Sequence, residues 1–183
     1  MTSHQSAHVQ RLYDSISANV GKEAADEFAA TFPLSKSADK ERRFKWAEDV
    51  CIYLENHFDD NSACTIRQQC NCDYGITKAA EIRTMLKRTG TLEEFAERYN
   101  TLQRGGKIQI EGDSLLYIFP KCYCSCIKHV DKPISKIWCY CSLGFVHSMF
   151  GQALDSEVEV ELMETIKSGS SRCVFRIRKK ETL

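Results

Sequence analysis

The sequence lacks an excess of charge of either sign, a long apolar run and a catalytic signature. Its 25 basic side chains are matched by 25 acidic ones, so no global field draws the chain to nucleic acid or an anionic surface. Short basic runs such as Lys40-Glu-Arg-Arg43 and Arg176-Ile-Arg-Lys-Lys180 read as solvated faces of a helix and a strand. No stretch approaches the roughly 18 apolar residues that a membrane helix needs. The opening Met1-Thr-Ser-His-Gln-Ser-Ala-His8 is polar, with no apolar region of the kind a secretory signal carries. Internal repeats and low-complexity segments are missing too. These absences lead us to expect a cytoplasmic protein that engages neither nucleic acid nor membrane. A homodimer is compatible with the sequence.

Against this plain background stand ten cysteines. Thiols stay reduced in the cytosol, so a disulfide framework is a poor explanation and metal binding or thiol chemistry a better one. Eight fall into three local groups: Cys64, Cys70 and Cys72; Cys122, Cys124 and Cys126; Cys139 and Cys141. In an extended chain, residues two apart point the same way. Cys122, Cys124 and Cys126 would then offer three sulfurs to one face, with Cys139 and Cys141 returning a dozen residues later. Four thiolates from such pairs suit tetrahedral zinc, and an iron–sulfur cluster is a second fit. Free thiols with no cofactor, and thiol redox chemistry, remain open. The first group would supply further ligands or be incidental. Cys51 lies on a helical apolar stripe and reads as a small buried hydrophobe.

A nucleophilic role falls to Cys141, placed near an expected helix N-terminus where the dipole lowers a thiol pKa. His129 and His147 are candidate bases, although neither has motif spacing to a cysteine. His57 reads as a boundary histidine beside the central stripe.

The pattern of apolar residues divides the chain in two. Residues 1–104 read as helices. One or two cover the first thirty, with a break at Val20-Gly21-Lys22 and a stop at Pro33. A central helix over 39–58 carries Phe44, Ala47, Cys51, Leu54 and Phe58 at 3, 4, 3, 4 spacing. Another runs over 76–87, its inner face including Ile76. A further helix is opened by the capping box Thr91-Leu-Glu-Glu94, with Leu92, Phe95, Tyr99 and Leu102 inward. Residues 107–183 alternate as strands do. A hairpin is expected over 107–119 around Gly112-Asp113, then a helix from Ser142 to Gly151. A last hairpin joins 157–162 to 172–178, placing Glu159 and Glu161 across from arginines. The fold class is α+β, with a helical half followed by an antiparallel β-β-α-β-β half, together one compact unit.

Three stretches carry a resemblance: Tyr117-Ile-Phe-Pro-Lys-Cys-Tyr-Cys124, Trp138-Cys-Tyr-Cys-Ser-Leu-Gly-Phe145, and the segment from Val158 to Ile177. They resemble an uncharacterised group of cysteine-rich bacterial proteins, some related to L-2-amino-thiazoline-4-carboxylate hydrolase. The last 75 or so residues also resemble 4-vinyl-reductase domains, which are small-molecule-binding modules. That second resemblance implies a pocket for a small apolar or aromatic ligand, lined by Tyr117, Phe119, Trp138, Tyr140, Phe145 and Phe150. The zinc ligands of its sensor members do not carry over, because Leu162 and Thr165 stand where a glutamate and a cysteine belong; only Cys173 matches. The leading expectation is a cysteine-rich, metal-binding, sensor-like small-molecule binder. The alternatives are a hydrolase using metal-bound water or Cys141 on a small heterocyclic or thiol compound, and an Fe–S or thiol redox protein.

Overall fold

The structure, a computed structural model, describes residues 5–70, 74–102 and 105–180, with side chains left aside at 74–76. Seven α-helices and one four-stranded antiparallel sheet are seen among these residues. Two compact units emerge: one made of residues 1–71 and 124–141, the other of 72–123 and 142–183.

The first unit begins with α1 (Ala7–Asn19), whose Ser6 hydroxyl accepts the His8 amide at 3.3 Å. Val9, Leu12 and Ile16 make its buried stripe. The expected break falls at Gly21, which has φ +122°, a region open to glycine at little cost. There follow α2 (Lys22–Thr31), α3 (Lys40–His57) and α4 (Asp60–Gln69). Aspartate side chains cap the last two: Asp39 accepts the Arg42 amide, and Asp59 those of Asn61 and Ser62. On α3 the predicted stripe is buried from Phe44 to Leu54, Cys51 included, and Trp46 and Val50 widen it. The second stretch of the unit is irregular through 124, turns over 125–129 and ends in a 3-10 helix, Lys136–Cys139. That turn leads directly into α7 (Tyr140–Leu154).

The second unit holds α5 (Tyr74–Leu86), α6 (Leu92–Thr101) and the sheet. The Thr91 hydroxyl accepts the Glu94 amide, as the capping box requires, while the Glu94 carboxylate takes the amide of Gly90 rather than that of Thr91. Phe95 and Tyr99 are buried, but Leu92 and Leu102, expected inward, are exposed where the helix begins and ends. Strands β1 (Lys107–Glu111), β2 (Ser114–Phe119), β3 (Val158–Glu164) and β4 (Cys173–Lys179) run in the order β1-β2-β4-β3. The predicted pairing is met in register, with Glu159 opposite Arg178 and Glu161 opposite Arg176. Two boundaries differ from expectation. Helix α7 starts before Ser142, because the 3-10 turn nucleates it from Ser135, and it passes Gly151 to reach Leu154. The buried side chain of Ala153 lets it continue.

Candidate thiol site

Seven of the ten cysteines belong to the first unit: Cys51, Cys64, Cys70, Cys124, Cys126, Cys139 and Cys141. They come from α3, α4 and the 124–141 stretch. The nine described cysteines are thiols, with no disulfide among the described residues.

At the centre of this unit is a residue that pattern reading passed over. Arg67 lies on the buried stripe of α4, in line with Ala63, Ile66 and Cys70, and is 3% exposed. Its Nη2 donates to the Trp138 carbonyl at 2.8 Å, and its guanidinium carbon lies 4.2 Å from the centroid of the Trp138 ring, a cation–π arrangement. Its buried Nε has no acceptor among the described residues. Nor does any described carboxylate form an ion pair with it. The signal available in the sequence was a charge at a helix position in phase with Ala63, Cys64 and Cys70.

The thiols surround this cation. Trp138 directs its indole N–H to Cys124 Sγ at 3.4 Å, and Trp46 meets the same indole edge-on, with ring centroids 5.7 Å apart. Buried Cys126 donates to the Arg43 carbonyl at 3.5 Å. Buried Cys70 donates to the Ile66 carbonyl at 3.1 Å, and Cys64 accepts from Gln68 Nε2 at 3.0 Å. His8, also missed, places Nε2 3.3 Å from Ser125 Oγ.

The electrostatics are lopsided. Burial pushes Cys51 and Cys126 each up to about 12. The Arg67 guanidinium acts against the rise in both, and Arg43 also does so at Cys126. Burial likewise raises Cys70. Burial and then the charges of Arg11, Arg67 and Arg43 lower His8 to about 4. For Arg67 itself burial favours the neutral form, but charge on Cys141, Cys70, Cys51 and Cys124 would outweigh it, so the net direction is up. Thiols held protonated supply no such charge. A buried ion without a counter-ion costs several kcal/mol as an order of magnitude, so Arg67 sits where its charge is answered only by a carbonyl and an indole face.

The expected array of three sulfurs on one face is not formed. The chain is not extended at Cys124 and Cys126: the Cys124 carbonyl accepts the amides of Ile127 and Lys128, as in a helical turn. Cys139 ends the 3-10 turn and Cys141 sits in the first turn of α7. Residues two apart on a helix do not face each other, so both C-x-C pairs point their sulfurs apart. Among the described residues no three of His, Cys, Asp or Glu are gathered as a metal would hold them. Cys122 belongs to the second unit, and Cys72 lies outside the described residues.

The candidate nucleophile is also placed differently from expectation. The amide of Tyr140 is taken by the Ile137 carbonyl, so Cys141 follows a turn of 3-10 helix rather than opening a helix with free amides. His129 is exposed in the first unit, and His147 is exposed in the second. His57 is exposed too, with Nδ1 2.9 Å from the Tyr53 carbonyl.

The six expected pocket aromatics divide between the units. Trp138 and Tyr140 fall in the first; Tyr117, Phe119, Phe145 and Phe150 fall in the second. Tyr117 meets Phe119 and Phe150 edge-on, with ring centroids at 4.9 and 5.4 Å. Tyr117 and Phe150 are fully buried, and Phe145 is half-buried. In the second unit a cleft of about 420 Å³ opens away from those rings, with His147, Gln152, Glu157, Val158 and Lys180 among its lining.

No helix among the described residues is long and apolar enough to cross a membrane. No curated protein matches the chain. Among solved structures it is similar to an H-NOX domain of Shewanella oneidensis in the Fe(II)CO ligation state (TM-score 0.48, 12% identity, 97% of this chain and 99% of that one). It is similar as well to an H-NOX protein of S. oneidensis in the Fe(II)NO state (0.45, 13%, 96% and 99%). A third likeness is to the Fe(II) unliganded H-NOX protein of K. algicida (0.49, 14%, 98% and 98%). These structures are neither vinyl-reductase domains nor thiazoline-carboxylate hydrolases. The model of DUF6144, a family of unknown function, matches residues 1–183, and the chain belongs to that family.

Proposed function

We propose that the protein is a thiol-site protein of a reducing compartment whose first unit takes up a thiophilic metal ion. Zinc is the first candidate and an iron–sulfur cluster the second. The observation that carries this reading is the gathering of seven cysteines from separate parts of the sequence into one compact unit. Cys124, Cys126, Cys139 and Cys141 are the proposed donors, with Cys64 and Cys70 in reserve and Cys122 outside the unit. The donors are not preassembled, so uptake turns side chains and draws the 124–135 stretch inward, coupling binding to local folding.

Ligand binding of the vinyl-reductase type is supported by one feature, the β-β-α-β-β order of elements from β1 to β4. The rings expected to line its pocket in the second unit pack on one another. A small molecule in the His147–Lys180 cleft therefore fits that unit better than one held among those rings. Catalysis by Cys141 has no free helix end to support it.

Elemental analysis of freshly purified protein, with thiols counted before and after chelation, tests the proposal. A stoichiometric metal that masks about four of the ten thiols is the expected result. Ten reactive thiols and no metal would remove it. Visible absorption identifies a cluster; a colourless metalloprotein identifies zinc.

A further inference from the structure

We infer that Cys124 is a thiol–disulfide exchange site for small disulfides that carry negative charge, such as those ending in carboxylates, and that it retains one half of them as a mixed disulfide. This goes beyond the metal-site reading and does not rest on it.

The turn at 124–126 is where positive charge of the first unit gathers. The Cys124 sulfur is half-buried and accepts the indole N–H of Trp138 at 3.4 Å. The face of the same ring carries the Arg67 guanidinium, its carbon 4.2 Å from the centroid. Arg67 is 3% exposed, and its Nε has no acceptor among the described residues. Ser125 Oγ lies 3.3 Å from Nε2 of His8, and Arg11 follows His8 one turn along α1 as its surface neighbour. Cys126 donates to the Arg43 carbonyl at 3.5 Å. Each residue of the turn therefore leads to a different arginine. None of the three forms an ion pair with a carboxylate among the described residues. The charges of all three reach His8, and no described carboxylate acts against them there.

A cysteine that reacts needs partial exposure and electropositive surroundings, because the charged sulfur is the nucleophile. Cys124 has both, together with an N–H donor held in place by the packing of Trp46 and Arg67 on its ring. Cys51, Cys70 and Cys126 share the neighbourhood but are buried. In the exchange, Cys124 gives its proton to solvent and its sulfur attacks one sulfur of the disulfide. A new S–S bond forms as the old one breaks, and the released half leaves with the electron pair and takes up a proton. The disulfide is itself the oxidant. Arginines concentrate an anionic disulfide near the turn and repel a cationic one. Cys126 is buried and turned to the Arg43 carbonyl, so it is not placed to displace the half that Cys124 holds.

The test uses the full reduced chain with a chelator present. At low salt it is mixed with dithiodipropionate, a dianion, or with cystamine, a dication, and adducts are located by peptide fragmentation. Each rate is divided by that of the same reagent with 2-mercaptoethanol, a neutral thiol. The first adduct is expected at Cys124, as one mixed disulfide that C124S lacks. The normalised rate for the dianion should exceed that for the dication by about tenfold or more, and salt should shrink the ratio. R67K should keep the ratio within about threefold of wild type, and R67M should lower it further. If R67M gives no folded protein, R11Q, at a partly exposed position, takes its place and should lower the ratio too. A first adduct on another cysteine, Cys141 included, would overturn the inference. So would a ratio near one, or a ratio that the folded charge-removing variant leaves unchanged. An internal disulfide that releases both halves of the reagent would overturn it as well.

Discussion

Two arginines, one in each unit, have a buried Nε with no acceptor among the described residues. Arg176 on β4 is answered by carboxylates on both sides: Glu161 on β3 at 3.1 Å and Glu111 on β1 at 3.3 Å. Arg67 on α4 is answered by a carbonyl, an indole face and protonated thiols. Folding therefore pairs the charge of Arg176 with carboxylates and leaves that of Arg67 without one among the described residues. The difference separates an arginine that ties strands together by ion pairs from one held by a carbonyl and an indole face.

Removing the ring that Arg67 covers puts the heaviest strain on this comparison. Trp138→Ala deletes a fully buried indole, and we expect a loss of about 3–5 kcal/mol in urea unfolding. A loss below 1 kcal/mol would mean that the ring does not hold the guanidinium. The next largest effect is a pH dependence that originates in the first unit, at His8. His8 falls to about 4 in the fold from an ordinary 6.5, so below 6.5 the unfolded chain takes up a proton that the fold refuses. Stability is then full above pH 6.5 and lost progressively down to about pH 4, by about 3 kcal/mol at most. H8Q should flatten that part of the profile; an unchanged slope would show that His8, depressed first by burial and then by the arginines, does not set it.

Two further changes probe the second unit, where Arg176 has its carboxylates. A methyl group on Gly106 would sit 2.5 Å from the Tyr117 ring. Gly106→Ala should therefore cost about 1–3 kcal/mol and alter the tyrosine near-ultraviolet circular dichroism. An unchanged midpoint would show that Tyr117 yields freely. The smallest effect belongs to Glu161→Ala, because the carboxylate is largely exposed. We expect a loss of about 0.2–1 kcal/mol that shrinks in salt. A salt-independent loss several times larger would make Arg176 as exacting as Arg67 and dissolve the contrast between them.

Much of the fold was legible because it rests on local periodicity. The α3 stripe, the Gly21 break, the Thr91 cap and the Glu161–Arg176 register each follow from spacings of two to four residues. The site was legible in its chemistry but not in its geometry. Reading Cys122, Cys124 and Cys126 as extended assumed a backbone that the turn at 125–129 does not have, and nothing in Ser125-Cys-Ile-Lys-His129 announces that turn. Reading Ser142 as the helix start missed the 3-10 turn from Ser135, because boundaries depend on which amides find partners first. Arg67 went unread because pattern methods score apolar residues and skip the charge among them. Leu92 and Leu102 show the opposite error, since a residue in phase at a helix end can have nothing to pack against.

The placement of Trp138 has a consequence for observation. Trp46 and Trp138 are the only tryptophans in the chain, and both lie in the first unit, one edge-on to the other. Intrinsic tryptophan emission is therefore a report from the thiol-bearing unit alone, on which the sheet unit is silent. One of its two emitters has a guanidinium over its face and a thiol on its ring nitrogen. The protein thus carries its own label at the place where its charge is incomplete, ready to be read without adding a dye.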